Sequence, residues 1–176
     1  AYLKVSGGMF RDMTIHDFDL ACFILQNDPI VEIFATGDRL FSEDAKEAND
    51  IETSMITMKS KSGVLCHINN SRHSSYGYDQ RVELFGSKGM IISDNQTPTS
   101  VTRYNDESTN SKDPILNFFI ERDDLAYKNQ LDNFVNCIID KKPPTVNFED
   151  GRIALIIANA AYESLENKKS VKIDYS

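Results

Sequence analysis

Asp12 and His16 lie four residues apart in the stretch GGMFRDMTIHDFD (7–19), directly behind the glycine pair Gly7 and Gly8. On a helix, i, i+4 spacing puts two side chains on one face, one turn apart. An imidazole beside a carboxylate is the usual build of a proton-transfer group, because the carboxylate orients the ring and stabilises the imidazolium. Such a His16 could take the proton of a substrate hydroxyl while hydride leaves the same carbon for a cofactor. The two glycines allow backbone conformations and close approaches closed to other residues. The same spacing more often marks an exposed acid–imidazole pair with no task, and Asp17 and Asp19 suit a helix start on dipole grounds alone.

A second cluster, NNSRHSSYGYDQRVELFGSKGM (69–90), gathers amide, hydroxyl and phenol groups. Tyr76 and Tyr78, with Gly77 between them, would give a polyol an amphipathic wall and hydroxyl donors. The plainer reading is a turn whose tyrosines pack on a sheet. Arg72 and His73 read as loop residues that meet solvent. A third candidate is Tyr127 in FFIERDDLAYKNQLDNF (118–134), which fits a core edge and a pocket wall alike. Gly86-Ser87-Lys88-Gly89 lacks the GxxxxGK[ST] and GxGxxG patterns, so a hairpin turn is expected there, not a phosphate cradle. No nucleophile elbow occurs. His16, His67 and His73 show no ligand spacing, and no metal is expected.

The elements that must position these residues follow from periodicity. Asp12 to Leu25 predicts a helix with Met13, Phe18, Ala21, Cys22 and Leu25 on one broad face. Strands are expected over 30–36, 51–59 and 64–70, with a polar loop over 42–50. A hairpin is expected over 81–85 and 90–93, and a further strand over 99–104. Residues 105–113 read as polar and mobile. Two helices follow. In 123–140, Leu131, Phe134, Val135 and Ile138 predict a buried stripe. Asn147 with Asp150 resembles an N-cap before the helix 151–165, whose stripe includes Ile153, Ile156, Ile157, Ala160 and Ala161. Val171 to Ile173 closes as a short strand. The expected fold is α+β: an open, mostly antiparallel β-sheet with helices packed on one face, in a single domain over 1–176.

Composition bounds the partners. The 176 residues carry a net charge of −8, with 40% hydrophobic and 26% charged residues, a globular balance. Nucleic acid is not an expected partner, since that affinity rests on clustered Lys and Arg. No apolar run approaches the ~18 residues of a membrane span. No signal peptide is visible, and the opening AYLKV, without Met and in mid-strand, reads as a fragment. Cys22, Cys66 and Cys137, odd in number and far apart, are expected as buried free thiols in a reducing cytoplasm.

The motifs GGMFRDMTIHDFD (7–19), SRHSSYGYDQRVELFGSKGM (71–90), ER…AY (121–127) and FEDGR (148–152), in this order, resemble the C-terminal domain of the Gfo/Idh/MocA oxidoreductase family. YGYDQRVELFGSKGM points to its myo-inositol 2-dehydrogenase branch. The resemblance implies an N-terminal Rossmann domain, absent here, that binds NAD or NADP and supplies a lysine from an EKP motif. It implies that Asp12 and His16 are catalytic, with His16 the base and Asp12 binding substrate or orienting that base. It makes Tyr76, Tyr78 and Tyr127 candidate substrate contacts. It further implies a polyol or sugar substrate and self-association through the exposed sheet face, as a dimer or tetramer. The segment that in the family reads RYxxAYxxE is ERDDLAYKNQ here, with Asp123 and Gln130 at departing positions. An assembly module without chemistry, an aldose dehydrogenase and an NAD-dependent glycosidase remain alternatives, since fold does not fix reaction.

Overall fold

In a computed structural model of the chain, residues 2–176 are described, and the chain divides into two compact units. One runs to His73 and resumes over Val146–Ser176; the other is Ser74–Thr145.

The first unit is built on a four-stranded sheet of β1 (Ile30–Asp38), β2 (Thr53–Ser60), β3 (Leu65–Ser71) and β8 (Val171–Lys172), in the order β3-β2-β1-β8. Every neighbouring pair in it is antiparallel. Alternation sets its two faces. Along β2, Ser54, Ile56, Met58 and Ser60 are buried while Met55, Thr57 and Lys59 are exposed. The hydrophobic core also takes in Ile33 and Ala35 from β1 and Val171 from β8. Helices α1 (Met9–Asp12), α2 (Thr14–Leu25) and α6 (Phe148–Asn167) close it with Met9, Phe10, Phe18, Ile157, Ala158 and Ala161. The sheet and the helices gathered on one of its faces give the α+β architecture expected from the sequence. Helix α6 starts as its first residues dictate. Asn147 accepts from the Glu149 N–H at 2.7 Å, and its own N–H donates to Asp150 Oδ2 at 2.7 Å, a capping box.

Two local expectations change. The first helix begins at Met9, not Asp12, and is interrupted at Met13 (φ −108°, ψ −64°), so Asp12 ends α1 and His16 belongs to α2. A long-range bond explains the early start. The Met9 N–H donates to Asp50 Oδ1 at 3.1 Å, a cap supplied from 41 residues away that local sequence does not show. The polar segment 42–50 holds a short helix, α3 (Glu43–Glu47), capped by Ser42 and pinned by buried Ala45.

The second unit contains the hairpin β4 (Val82–Gly86) and β5 (Gly89–Ser93), with its turn at Gly86 to Gly89 as expected. The strand expected over 99–104 shrinks to β6 (Thr102–Arg103). It pairs with β7 (Ser111–Lys112), inside the segment expected to be mobile. Helices α4 (Phe119–Arg122) and α5 (Asp124–Asp140) follow. Helix α5 has the expected extent, but its stripe is not buried: among the described residues Leu131 is 64%, Phe134 56% and Ile138 63% exposed.

The three cysteines are free and half-buried instead of fully buried. Burial still pushes the Cys22 thiol up to about 11. Among the described residues, no helix is long and apolar enough to cross a membrane.

Candidate active site

Gly7 and Gly8 have φ of +90° and +85°, the region that favours glycine. At Gly8 a side chain is also excluded by space: a Cβ there would lie 2.1 Å from the Tyr162 hydroxyl oxygen and 3.0 Å from Asp50 Oδ1. Tyr162, on α6, holds the loop. Its hydroxyl accepts from the Phe10 N–H at 3.3 Å and donates towards Asp50 Oδ1 at 3.4 Å. Its ring meets Phe10 edge-on at 4.8 Å and lies under the Arg11 guanidinium, also at 4.8 Å. Burial pushes the Tyr162 phenol up to about 12, which keeps it a neutral donor.

Both oxygens of Asp12 are engaged. Arg72 Nη1 donates to Oδ2 at 2.8 Å, and the Tyr2 hydroxyl donates to Oδ1 at 2.5 Å. That second bond pushes the Tyr2 phenol up. Arg72 Nη2 stands 3.5 Å from Asp50 Oδ2. The three charged side chains are sequestered, with exposures of 13% for Asp12, 14% for Arg72 and 8% for Asp50. Arg72 is therefore not the solvent-facing loop residue that the sequence suggested. Its N–H donates to Glu52 O at 2.8 Å beyond the end of β3, and this turns its guanidinium inward between two carboxylates. Removing one partner of such a group leaves a buried charge uncompensated, at a cost of about 3–5 kcal/mol.

His16 is exposed on α2. Among the described residues, the hydrogen-bond partners of the Asp12 side chain are Tyr2 and Arg72, and His16 is not one of them. One residue on, burial raises the Asp17 carboxyl, which accepts from Asn70 Nδ2 at 2.9 Å. Asn70 in turn accepts from Thr14 Oγ1 at 2.7 Å, so polar bonds tie the first turn of α2 to β3. The arrangement gives one fixed, paired carboxylate and one accessible imidazole on either side of the Met13 interruption. The accessible imidazole can exchange protons with a ligand, and the paired carboxylate can hold its geometry and charge.

Tyr76, Tyr78 and Tyr127 belong to the second unit and are exposed at 62%, 36% and 52%. Tyr76 donates to Asp79 Oδ2 at 2.5 Å. Asp79 also takes a forked pair of bonds from Arg81, at 2.7 and 2.9 Å, and one from Asn95 Nδ2 at 2.6 Å. These donors, Arg81 first, hold the Asp79 carboxyl well below the usual carboxylate range. The group borders a hollow of about 430 Å³ that also touches Asp94, Lys112 and Asp113. Tyr78 donates its N–H to Leu116 O at 2.9 Å, and Tyr127 lies on α5. Gly77, at φ +127°, is buried; a Cβ there would come within 2.4 Å of Ile115 Cγ1.

Asp50, Arg72 and Tyr162 as parts of the glycine-loop network, and Asp79 as the hub of the Tyr76 cluster, do not stand out in the sequence. A local signal existed only for Asp79, which sits inside YGYDQR between its own partners. The described residues do not fit a dinucleotide cradle. All their strand pairs are antiparallel, and Gly86 to Gly89 turns a hairpin instead of opening a helix. Nor do any three His, Cys, Asp or Glu among them gather to hold a metal ion.

Residues 2–173 match the family described as an oxidoreductase family, C-terminal alpha/beta domain. The myo-inositol 2-dehydrogenase of Thermotoga maritima is 44% identical over 173 residues, which take in 98% of this chain and 51% of that protein. The crystal structure of a myo-inositol dehydrogenase from Corynebacterium glutamicum matches with a TM-score of 0.93 at 50% identity, covering 99% of this chain and 52% of that one. A scyllo-inositol dehydrogenase from Lactobacillus casei, solved with NAD(H) and scyllo-inositol, matches with a TM-score of 0.85 at 27% identity, covering 94% and 48%. The chain spans about half the length of the curated relatives it matches. With the family match over residues 2–173 and the sequence and structural likeness over nearly every residue in agreement, the chain belongs to the Gfo/Idh/MocA oxidoreductase family and carries its C-terminal alpha/beta domain.

Proposed function

We infer that this chain is the substrate-facing part of an NAD(P)-dependent polyol dehydrogenase that oxidises an inositol ring hydroxyl to a ketone, with myo-inositol giving 2-keto-myo-inositol. The observation that carries this reading is the 44% identity to a myo-inositol 2-dehydrogenase across a chain whose glycine loop, Asp12 and His16 form one ordered segment. The relative solved with NAD(H) and scyllo-inositol supports the same substrate class and the same cofactor.

Oxidising a secondary alcohol removes a hydride from carbon and a proton from oxygen. A nicotinamide, when bound, would supply the hydride acceptor. This chain's part is the proton. His16 takes it at an imidazole nitrogen, and Asp12, fixed by Arg72 and Tyr2, binds a ring hydroxyl or aligns the base. Tyr76, Tyr78 and Tyr127 are proposed polyol contacts on the strength of the resemblance alone. With the upstream coding sequence joined to it, the protein is expected to form NADH from myo-inositol. His16→Ala should lower kcat by about 10²–10⁴-fold, the usual worth of a general base. A well-folded two-domain protein that forms no NADH from any inositol overturns the reading; full kcat in His16→Ala removes His16 from it.

Self-association through the open sheet face is part of the same proposal. Phe34, Met55 and Leu65 stand on that face at 39%, 55% and 78% exposure, interleaved with exposed Thr36, Thr57, Lys59, His67 and Asn69, a mixed apolar and polar surface of the kind that protein interfaces use. Sedimentation showing only monomer at micromolar concentration would remove this element.

A further inference from the structure

Arg72 Nε and Nη2 are buried and make no hydrogen bond, and Asp50 Oδ2, which faces Nη2 at 3.5 Å, makes none either. Buried polar atoms without partners are uncommon and call for a reason. A guanidinium that bound substrate would turn its free N–H groups towards a cavity. These are sealed from solvent, and the one strong bond the group makes to a side chain is the 2.8 Å contact to Asp12. Full satisfaction has been given up while that contact and a second, longer carboxylate contact are kept. The second carboxylate, Asp50, is itself tied: its other oxygen accepts from the Met9 N–H at 3.1 Å and from the Tyr162 hydroxyl at 3.4 Å. Asp50 thus anchors the glycine loop and one side of the guanidinium, and the guanidinium anchors Asp12.

We propose that Arg72, braced by Asp50, is a positioning residue that fixes the Asp12 carboxylate for the reaction and touches neither substrate nor cofactor. The inference rests on the dehydrogenase reading above. It assigns Arg72 a role through Asp12 alone, so its effect must vanish once Asp12 can no longer act.

The test is a double-mutant cycle in the complete enzyme that contains this chain, with myo-inositol as substrate and kcat and KM read separately. Arg72→Lys keeps the charge and loses the planar fork. Misplacing a reacting group by about 1 Å costs on the order of a hundredfold, so Arg72→Lys should lower kcat by about that factor and change KM less. Arg72→Lys in an Asp12→Asn background should be no slower than Asp12→Asn alone. An equal further loss in that background overturns the proposal, because Arg72 would then act elsewhere, as does wild-type kcat in Arg72→Lys. Should Arg72→Lys not fold, Asp50→Asn goes through the same cycle: it keeps an acceptor for Met9 and Tyr162 and removes the charge that braces the guanidinium. Coupling to Asp12 supports the proposal and additivity overturns it. A wild-type enzyme that oxidises no inositol overturns the dehydrogenase reading and this inference together, whereas an active enzyme with additive variants overturns this inference alone.

Discussion

Helices α5 and α6 are written in the same hand and end in opposite circumstances. Each carries apolar residues at three- and four-residue spacing. Helix α6 buries Ala154, Ile157, Ala158 and Ala161, while α5 buries none of its residues. The contrast extends to the units that hold them. Every buried hydrophobic side chain among the described residues lies in the unit built on the four-stranded sheet. In place of buried hydrophobic side chains the other unit has the β4–β5 hairpin, ring contacts of Tyr78 and Phe118 with Phe119, the donors converging on Asp79 and a Thr99–Arg103–Asp113 group. Apolar periodicity therefore specifies a face that favours cover. Whether the chain itself supplies that cover depends on a sheet or helix arriving opposite, which periodicity does not encode.

The sharpest way to break this comparison is to truncate one side chain on each helix. Ile157 is fully buried, and Ile157→Ala should cost about 2–5 kcal/mol in urea unfolding, the range for a large-to-small change in a packed core. A loss under 1 kcal/mol would mean that α6 does not anchor the core. Next comes acid. The Asp79 carboxyl is held low in the folded protein, so its stabilisation is complete above the ordinary carboxylate value of about 3.9 and drains away as pH falls through the lower folded value. The Gln80 amide, which donates to Asn95 at 2.8 Å, should lose hydrogen-exchange protection below about pH 4, while amides of the β1–β2 pair hold theirs. Asp79→Asn should abolish that pH step; a step of the same size in the variant would show that another group carries it. The smallest effect is expected from Ile138→Ala on the exposed face of α5, within about 0.5 kcal/mol in the isolated chain. A cost like that of Ile157→Ala would show the stripe to be covered after all.

Much of the sheet was legible because its signals are local. The runs over 30–36, 51–59 and 64–70 mark β1, β2 and β3, glycines frame the β4–β5 turn, and Asn147 with Asp150 announces α6. The interruption at Met13 was not legible, nor was the early start of α1, since the bond that caps Met9 comes from Asp50. The site divides along the same line. The glycine pair and Asp12 are conspicuous in sequence. Arg72, 60 residues from Asp12, looked like one more loop cation until the backbone beyond β3 turned it inward. Tyr162, 152 residues from the amide it receives, had nothing near it to mark it.

That last separation fixes an order of events. The hydroxyl that props the glycine loop belongs to α6, so during synthesis the segment carrying Asp12 and His16 leaves the ribosome long before its brace exists. Ordering of the loop by that brace must await the emergence of α6, and a protein truncated before α6 would have the residues of the site without this support.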